Sequence, residues 1–248
     1  MENVENSALS PSIPQTTAPA VRGGRSWRSK LIPFKRRAFQ WPKIPSKDRV
    51  CFIGPTGSGK TELAKALLVT RRNAIAVDTK RNEDWAEFGP IVYGNEVYRV
   101  RAGRFAWYVP GEFLVDDALP EKFFRWALLR RFTVTYVDEL LNVPNVDAMK
   151  ILATQGRSAK SGLWVATQRP SGVPLYTISE AQHYFIFWLR LEEDRERMER
   201  ATGTEIPWGM IGPGDCPDPE CADCKAKEHS FFYINERGTI YGPAKLNL

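Results

Sequence analysis

The sequence predicts an α/β fold with a mostly parallel sheet, helices on both faces and a β-hairpin near the C-terminus. Three observations lead to this fold class. Apolar segments of strand length alternate with segments of helical periodicity through most of the chain. A glycine-rich segment, GPTGSGKT (54–61), lies between the first such strand and the first such helix. The segment HSFFYINERGTIYGP (229–243) predicts a hairpin that turns at Arg237 and Gly238.

The elements between these landmarks follow in an order that suits a parallel sheet. Apolar runs predict strands at 49–54, 73–80, 132–141, 163–168 and 183–191, with one or two short strands around Gly103 within 96–109. Helical spacing predicts helices at 61–72, 120–131, 145–157 and 192–203. Pro120 opens the second helix. The last helix carries Glu/Arg pairs four residues apart, which stabilise a helix without any function.

The composition is that of a globular protein whose basic residues are concentrated at one end. The chain has 248 residues, of which 43% are hydrophobic and 26% charged, enough for one sizeable domain plus tails. Residues 1–49 hold ten Lys or Arg and three Asp or Glu, a net charge of +7, so the remainder carries −1 of the total of +6. No apolar run approaches the roughly 20 residues of a membrane span. The N-terminus lacks the order of a secretory signal, so we expect an intracellular protein.

Residues 1–47 are predicted to form a disordered basic arm that precedes the folded domain at 48–248. The first 22 residues are rich in Ser, Pro, Thr and Ala, and the following ones mix Arg and Lys with Trp and Phe. Such an arm suits nucleic acid or an anionic protein surface. It can also be a solubilising tail, or it can dock on the domain, and the sequence leaves these alternatives open.

The segment GPTGSGKT matches the phosphate-binding pattern G-x-x-x-x-G-K-[ST] in full and lies in the strand-to-helix context that this pattern requires. Its glycines let backbone N–H groups wrap phosphates, and the following helix adds its positive dipole end. Lys60 is expected to reach the β and γ phosphates of ATP, and the Thr61 hydroxyl to ligate Mg²⁺. The expected ATP-binding residues are Gly54, Pro55, Thr56, Gly57, Ser58, Gly59, Lys60, Thr61 and Glu62.

The strand predicted at 132–141 carries an acid pair near its C-terminal end, and this pair predicts the other half of the site. Asp138 is expected to hold the Mg²⁺ ion through water. Glu139 can orient and deprotonate a water molecule for attack on the γ phosphate, which favours hydrolysis over transfer to a substrate hydroxyl. The alternative is two solvated acids at the end of a strand.

The order of the P-loop, the acid pair and GRSAKSGLWVATQRPSGVP (156–174) resembles the HerA/FtsK superfamily of DNA-translocating ATPases. The resemblance covers roughly residues 48–215, and few P-loop proteins have ATQRP after GR at this spacing. It implies a RecA-like core of the ASCE class, ring-shaped homo-oligomers and double-stranded DNA as a partner. By the same resemblance, Gln168 matches the sensor glutamine that contacts the γ phosphate or the attacking water. Arg157 matches the arginine that enters the neighbouring subunit's ATP site.

Three further polar residues near these motifs have no firm role. Arg169 can bridge phosphate, pack at a subunit boundary, contact DNA or form a surface ion pair. Asp78 and Lys80 resemble a D-x-K motif that often ends the second strand in these ATPases, so we expect them near the site.

Within the superfamily, the chain resembles the compact genome-packaging ATPases of tailless icosahedral, often membrane-containing, double-stranded DNA viruses. It shows neither the membrane segments of FtsK-type motors nor the extra N-terminal barrel of HerA-type helicases. The expected function is ATP-driven packaging of a viral genome into a preformed capsid. A pentameric or hexameric ring would dock on capsid vertex proteins, in the host cytoplasm or on the virion.

Two other functions remain open. One is a related translocase in DNA processing or transfer, and the other is a nucleotide-controlled assembly factor that does not move DNA. A small-molecule kinase is disfavoured by Glu139, Gln168 and Arg157.

The four cysteines fall into two groups. Cys51 lies in the first strand and is expected to be inert core. The other three lie in a Cys/His-rich loop at 212–230, where the spacing C-x4-C-x2-C-x4-H suits a tetrahedral, structural Zn²⁺ ion. The expected ligands are Cys216, Cys221, Cys224 and His229. Free thiols are an alternative, as is a disulfide, which a reducing cytosol disfavours.

Overall fold

The computed structural model describes residues 37–81, 85–212 and 221–247, which form one sheet of nine strands with helices packed against it. The strands are β1 (Val50–Ile53), β2 (Ala74–Asp78), β3 (Ile91–Tyr93), β4 (Arg104–Tyr108), β5 (Thr133–Asp138), β6 (Ser161–Thr167), β7 (His183–Phe187), β8 (Ser230–Asn235) and β9 (Ile240–Lys245). The helices are α1 (Lys60–Leu68), α2 (Ala118–Leu128), α3 (Asp147–Ala159), α4 (Leu175–Ser179), α5 (Glu192–Thr202) and α6 (Ala222–Ala226). Within these ranges, none of the helices has the length and apolar character that crossing a membrane requires.

The sheet is parallel except at one end. Its strand order is β3-β4-β2-β5-β6-β1-β7-β8-β9, and only the pairings of β8 with β7 and with β9 are antiparallel. The predicted fold class, a mostly parallel sheet with a C-terminal hairpin, is therefore confirmed. Because β6 lies between β1 and β5, its carboxyl end emerges between the P-loop and the acid pair.

The central strands are covered on both faces. Every residue of β1, β2, β5 and β6 is buried, which explains why these segments are nearly continuous apolar runs. Helices α2, α3 and α5 pack on one face, through residues such as Phe123, Leu152 and Met198. Helix α1 packs on the other, through Leu63 and Leu67.

The segment around Gly103 differs in part from its prediction. Only its second half forms a strand, β4, whereas Gly94–Arg99 forms a three-ten helix. This helix is fixed by the burial of Val97 and by the Trp107 indole N–H, which donates to the Gly94 carbonyl at 3.0 Å. The edge strand β3, only three residues long, was not predicted.

Residues 37–47 pack on the domain, whereas the prediction placed them in the disordered arm. Ile44 is 3% exposed, and its carbonyl accepts a hydrogen bond from the Arg71 guanidinium. The ring of Phe39 lies edge-on to Phe231, with 5.4 Å between centroids. Ile44 and Phe39 thus pack against the domain, whereas Trp41 is 57% exposed, so packed structure begins before residue 48. Residues 1–36 lie outside the described residues.

Candidate active site

The candidate site lies at the carboxyl edge of the parallel strands. The register pairs Ile53 with Thr167 and Asp78 with Asp138, so the P-loop, Gln168 and the acid pair all follow strands that end at this edge. The P-loop is tied to β6 by the Gly54 N–H, which donates to the Thr167 carbonyl at 3.2 Å. The topology thus brings together motifs that are more than 100 residues apart in sequence.

Lys60 is buried at the bottom of the P-loop. Its ammonium group donates to the Pro55 carbonyl at 2.7 Å, which closes the loop on itself. The pKa of Lys60 is lowered to about 8, mainly by burial. The charge of Lys80 also lowers this pKa, whereas the charges of Glu139 and Asp138 oppose the decrease. A phosphate group here would replace the Pro55 contact and favour the charged lysine. Gly59, at φ 97°, gives the loop a conformation that L side chains rarely adopt.

Thr61 and Asp138 form an oxygen-rich pair. The Thr61 hydroxyl donates to Asp138 Oδ1 at 3.0 Å, and the Tyr136 hydroxyl donates to the same oxygen at 2.9 Å. The second carboxylate oxygen lies 3.7 Å from the Lys80 ammonium. Burial raises the pKa of Tyr136 well above its usual value, and the charge of Asp138 adds to this rise, so the phenol remains a hydrogen-bond donor.

A hydroxyl beside a carboxylate is a donor set that fits Mg²⁺, which prefers oxygen ligands. Among the described residues, no three His, Cys, Asp or Glu side chains form a group that could hold a metal ion. An Mg²⁺ site of a P-loop protein does not require such a group, because one or two carboxylates, a hydroxyl, water and phosphate oxygens suffice.

Glu139 has an unusual backbone and an unsatisfied side chain. Its φ and ψ are 67° and 80°, in the left-handed region, directly before the three-ten helix Leu140–Asn142. Oε1 accepts a long hydrogen bond of 3.4 Å from the Gln168 backbone N–H. Oε2 is buried and has no hydrogen-bond partner among the described residues. A buried carboxylate oxygen without a partner is costly, and a water molecule would satisfy it.

Gln168 and Arg169 point to different surroundings. Gln168 lines a cavity of about 200 Å³ together with Lys60, Thr61 and Lys80. Arg169 instead donates to Glu193 Oε1 at 2.5 Å, and its Nε lies 3.6 Å from Asp194 Oδ2. Of the roles that the sequence leaves open for Arg169, the ion pair is the one observed.

Arg157 lies far from the other candidate residues within one chain. It occupies the last turn of α3, and its Nε lies 3.7 Å from Oδ1 of Asp48. Asp48 precedes β1, whereas the P-loop follows β1, so the two lie at opposite edges of the sheet. Arg157 therefore does not join its own chain's P-loop.

Several contacts at the site were not predicted from the sequence. The Thr79 hydroxyl donates to the Asp138 carbonyl at 2.8 Å, and Asn142 donates to the Thr79 hydroxyl at 3.2 Å. Asp78 Oδ1 accepts from the Lys80 backbone N–H at 2.9 Å, in a turn that places Lys80 beside Asp138. The contact of Tyr136 with Asp138 could have been predicted, because Tyr136 lies two residues before Asp138 and therefore on the same face of the strand.

The predicted zinc ligands are described only in part. Cys221 and Cys224 lie at the start and in the middle of α6, and His229 precedes β8. Cys216 lies outside the described residues, and the described Cys221, Cys224 and His229 do not form a group that could hold a metal ion, so the four-ligand site stays a prediction. Cys51 is buried, its thiol lies 3.3 Å from the Thr177 carbonyl, and burial raises its pKa, as expected for inert core.

Comparisons with known proteins place this site in a family. No protein-family model matches the chain. The structure is similar to the genome packaging NTPase B204 from Sulfolobus turreted icosahedral virus 2 in complex with AMP. The TM-score is 0.63 at 17% sequence identity, over 82% of this chain and 100% of that one. It is also similar to B204, the DNA-packaging ATPase from Sulfolobus turreted icosahedral virus, with a TM-score of 0.60 at 17% identity over the same shares.

At these identities the structural similarity shows a shared fold. The family is shown by a relative in sequence. The DNA packaging ATPase P9 of Enterobacteria phage PRD1 is 31% identical over 195 residues, which cover 75% of this chain and 82% of P9. The resemblance of the sequence motifs to viral genome-packaging ATPases is thereby confirmed, and the chain belongs to the family of DNA packaging ATPases that includes P9 of phage PRD1.

Proposed function

We propose that this chain hydrolyses ATP and uses the energy to move double-stranded DNA into a preformed viral capsid. The observation that carries the proposal is the meeting of the P-loop with two buried acids, Asp138 and Glu139, at one sheet edge. Family membership supports the biological process, since P9 is named as a DNA packaging ATPase. Nucleotide binding is further supported by B204, whose structures include complexes with AMP and ATP-γS.

Each residue of the site has a distinct role in this proposal. Lys60 and the P-loop N–H groups bind the β and γ phosphates. Thr61 and Asp138 hold Mg²⁺, which when bound neutralises phosphate charge. Glu139 Oε2 takes the proton of a water molecule as the water oxygen bonds to the γ phosphorus and the bond to the bridging oxygen of ADP breaks. Gln168 orients the same water.

The proposed partners follow from the motor function. The chain forms a pentameric or hexameric ring around double-stranded DNA, and the ring docks on capsid vertex proteins in the host cytoplasm or on the virion. Arg157 acts on the neighbouring subunit's nucleotide, which agrees with its distance from its own P-loop. The basic residues of the arm add affinity for DNA phosphates or for the capsid.

A structural zinc ion in the Cys/His-rich loop is a separate part of the proposal. Cys221 is the N-cap of α6 and Cys224 lies within that helix, and thiolates with an imidazole suit zinc. Metal analysis of protein purified without chelator should find about one zinc ion per chain. Absence of zinc, together with unchanged stability of Cys221→Ser, would show that the loop is free of metal.

The function is tested by ATP hydrolysis at low salt with and without duplex DNA. The parent should be stimulated by DNA. Glu139→Gln should bind a non-hydrolysable ATP analogue normally yet hydrolyse ATP about 10²- to 10⁴-fold more slowly, whereas Lys60→Ala should lose binding. Glu96→Gln, an exposed glutamate in a three-ten helix, is the matched control and should behave as the parent.

Two results would contradict the proposal in different ways. Near-normal turnover of Glu139→Gln would remove Glu139 from its role. Normal hydrolysis that DNA never stimulates, with no packaging in a capsid assay, would favour the nucleotide-controlled assembly factor.

A further inference from the structure

A row of four polar side chains lies at the edge of the sheet opposite to the P-loop and ends at Arg157. It begins at the hydroxyl of Tyr233 in β8, which lies 2.7 Å from Nδ1 of His183 in β7. Nε2 of the same ring lies 3.2 Å from Asp48 Oδ2. The other carboxylate oxygen, Oδ1, lies 3.7 Å from Arg157 Nε. The row therefore connects the C-terminal hairpin with the end of α3.

The hydrogen bonds of this row have a defined direction. Burial is the main cause of a raised pKa of the Tyr233 hydroxyl, so the phenol stays protonated and donates. In the neutral form of His183, Nδ1 accepts from Tyr233 and the Nε2–H donates to the Asp48 carboxylate. The two rings also stack, at an interplanar angle of 16°. His183 is thus held from both sides.

Asp48 is fixed by its backbone as well as by its side chain. Its N–H donates to the Pro45 carbonyl at 3.0 Å, and its own carbonyl accepts from the Trp164 indole N–H at 3.0 Å. Gly162 packs so closely that an added Cβ would lie 2.8 Å from the Asp48 carbonyl oxygen. Because Asp48 is only 6% exposed, its carboxylate is a fixed group that can orient a partner at little entropic cost.

The neighbouring arginine, Arg49, does not compete for this carboxylate. Its Nε donates to the Glu180 carbonyl at 2.6 Å, and one terminal nitrogen lies 3.9 Å from the Glu180 carboxylate. Among the described residues, Arg157 is the one Lys or Arg that pairs with Asp48. Asp48 Oδ1 is buried and has no hydrogen-bond partner there, and such an oxygen favours a cation beside it.

The guanidinium of Arg157 faces Asp48 through its inner nitrogen. Within the part of the chain that the structure describes, its two terminal nitrogens form no hydrogen bond or ion pair, and the side chain is 49% exposed. The terminal nitrogens of an arginine form the planar fork that recognises phosphate oxygens. A contact at Nε therefore restrains the side chain and leaves the phosphate-binding nitrogens available.

We infer that Asp48 is a positioning residue for Arg157, and that His183 and Tyr233 hold Asp48 in place for this role. The inference rests on the proposed function, in which Arg157 acts on the neighbouring subunit's nucleotide. Asp48 itself does not contact ATP. It limits the orientations of a long side chain that is otherwise free to adopt many, so the guanidinium meets the γ phosphate with less loss of entropy. The hairpin β8–β9 is thereby connected to hydrolysis in the next subunit.

The test measures two quantities on full-length rings, with assembly checked by size-exclusion chromatography. These are kcat for DNA-stimulated ATP hydrolysis and the Kd of a non-hydrolysable ATP analogue. Asp48→Asn keeps the shape and removes the charge, so it should lower kcat about 10- to 100-fold and leave the Kd unchanged. Arg157→Ala should lower kcat by about 10³-fold or more. The double variant should be no slower than Arg157→Ala, because no guanidinium is then left to position.

Tyr233→Phe tests the far end of the row with a smaller change. It removes only the hydroxyl that donates to His183, so kcat should fall about two- to tenfold. If Asp48→Asn does not assemble, this variant decides, and a kcat equal to that of the parent overturns the inference. Tyr241→Phe is the matched control. The Tyr241 ring stacks on Tyr233 with 5.5 Å between centroids, but its hydroxyl does not belong to the row, so this variant should behave as the parent.

The possible failures have different meanings. A normal kcat in Asp48→Asn, with Arg157→Ala inactive, would overturn the inference and leave the proposed function intact. A double variant that multiplies the two losses would do the same, since Asp48 would then act independently of Arg157. A normal kcat in Arg157→Ala would instead remove the proposed role of Arg157. Absence of ATP hydrolysis in the parent would overturn the proposed function itself.

Discussion

Asp138 and Glu139 are adjacent in the chain, yet their carboxylates lie in different environments. Asp138 accepts hydrogen bonds from Thr61 and Tyr136 and lies near the Lys80 ammonium. Glu139 has one carboxylate oxygen with no partner among the described residues. The strained backbone of Glu139 turns the chain after β5 and separates the two side chains. Two identical chemical groups thereby suit two roles, one for a metal ion and one for a proton.

The lowered pKa of Lys60 predicts a pH dependence of nucleotide binding. Without nucleotide, Lys60 has a pKa of about 8. Bound phosphate raises this pKa, because it favours the charged form of the lysine. Binding therefore takes up a proton between the two pKa values, and affinity falls as pH rises through this window. The Kd of a non-hydrolysable ATP analogue, measured by calorimetry from pH 6 to 10, should be nearly constant below about pH 7. It should rise by nearly tenfold per pH unit above about pH 8.

Lys60→Arg provides the control for this titration, because a guanidinium stays charged throughout the range. The affinity of this variant for the ATP analogue can differ from that of the parent, but its Kd should not rise above pH 8. If the parent and Lys60→Arg show the same pH profile, the titrating group is not Lys60.

At the residue scale, the sequence predicts those parts of the site that are local. The P-loop and the acid pair each occupy one short segment at a strand end, so their positions follow from the parallel sheet. Arg169 differs, because its partners Glu193 and Asp194 come from α5, and nothing in the ATQRP segment reveals this packing.

At the element scale, strong periodicity predicted the long elements. Helix α3 lies within two residues of its expected ends and strand β5 within three, because buried apolar runs and helical spacing decide them. Within the segment 96–109, predicted as one or two short strands, residues 96–99 instead belong to the three-ten helix Gly94–Arg99, although V-Y-R-V (97–100) alternates in the manner of a strand. Tertiary contacts of Val97 and Trp107 override that local pattern.

The N-terminal arm gives a prediction at the same scale. Residues 37–47 pack on the domain, so a deletion that ends at residue 36 removes basic residues and leaves the packed segment. Deletion of 1–36 should make DNA binding less dependent on salt, because fewer counterions are released. The slope of log K against log salt should become shallower by about 0.9 for each DNA phosphate that the arm no longer neutralises, as measured by fluorescence anisotropy with duplex DNA.

A shorter deletion separates charge from length in this experiment. Residues 1–21 contain no Lys or Arg, so their removal should leave the salt slope unchanged. An unchanged slope in the longer deletion as well would mean that the arm does not contact DNA, and would favour the solubilising tail.

At the scale of the whole molecule, the sheet separates two functional groups within one chain. The P-loop and the acid pair follow the carboxyl ends of the strands, whereas Arg157 lies with Asp48 at the other edge. A hydrogen bond at that edge joins Asp48 Oδ2 to His183 Nε2, at 3.2 Å. Burial opposes ionisation of Asp48, but the hydrogen bond and charge of His183, with the charge of Arg157, lower its pKa overall. Arg157 is thus held by an ionised partner and half exposed, as a residue that reaches a neighbouring subunit would be.

This arrangement predicts that Arg157→Ala and Glu139→Gln each inactivate the ATPase but complement each other when mixed. An Arg157→Ala subunit keeps a good acid pair, and an adjacent Glu139→Gln subunit supplies a good arginine, so some interfaces of a mixed ring are complete. DNA-stimulated hydrolysis should therefore reappear after subunit exchange, with ring formation followed by size-exclusion chromatography.

Arg157→Lys serves as the control for stability, because it keeps the charge beside Asp48 while losing the guanidinium that stabilises transition-state phosphate. If rings form and exchange subunits yet no activity returns, Arg157 does not act between subunits. Its contact with Asp48 would then be its whole role, and Arg169 would become the next arginine to test.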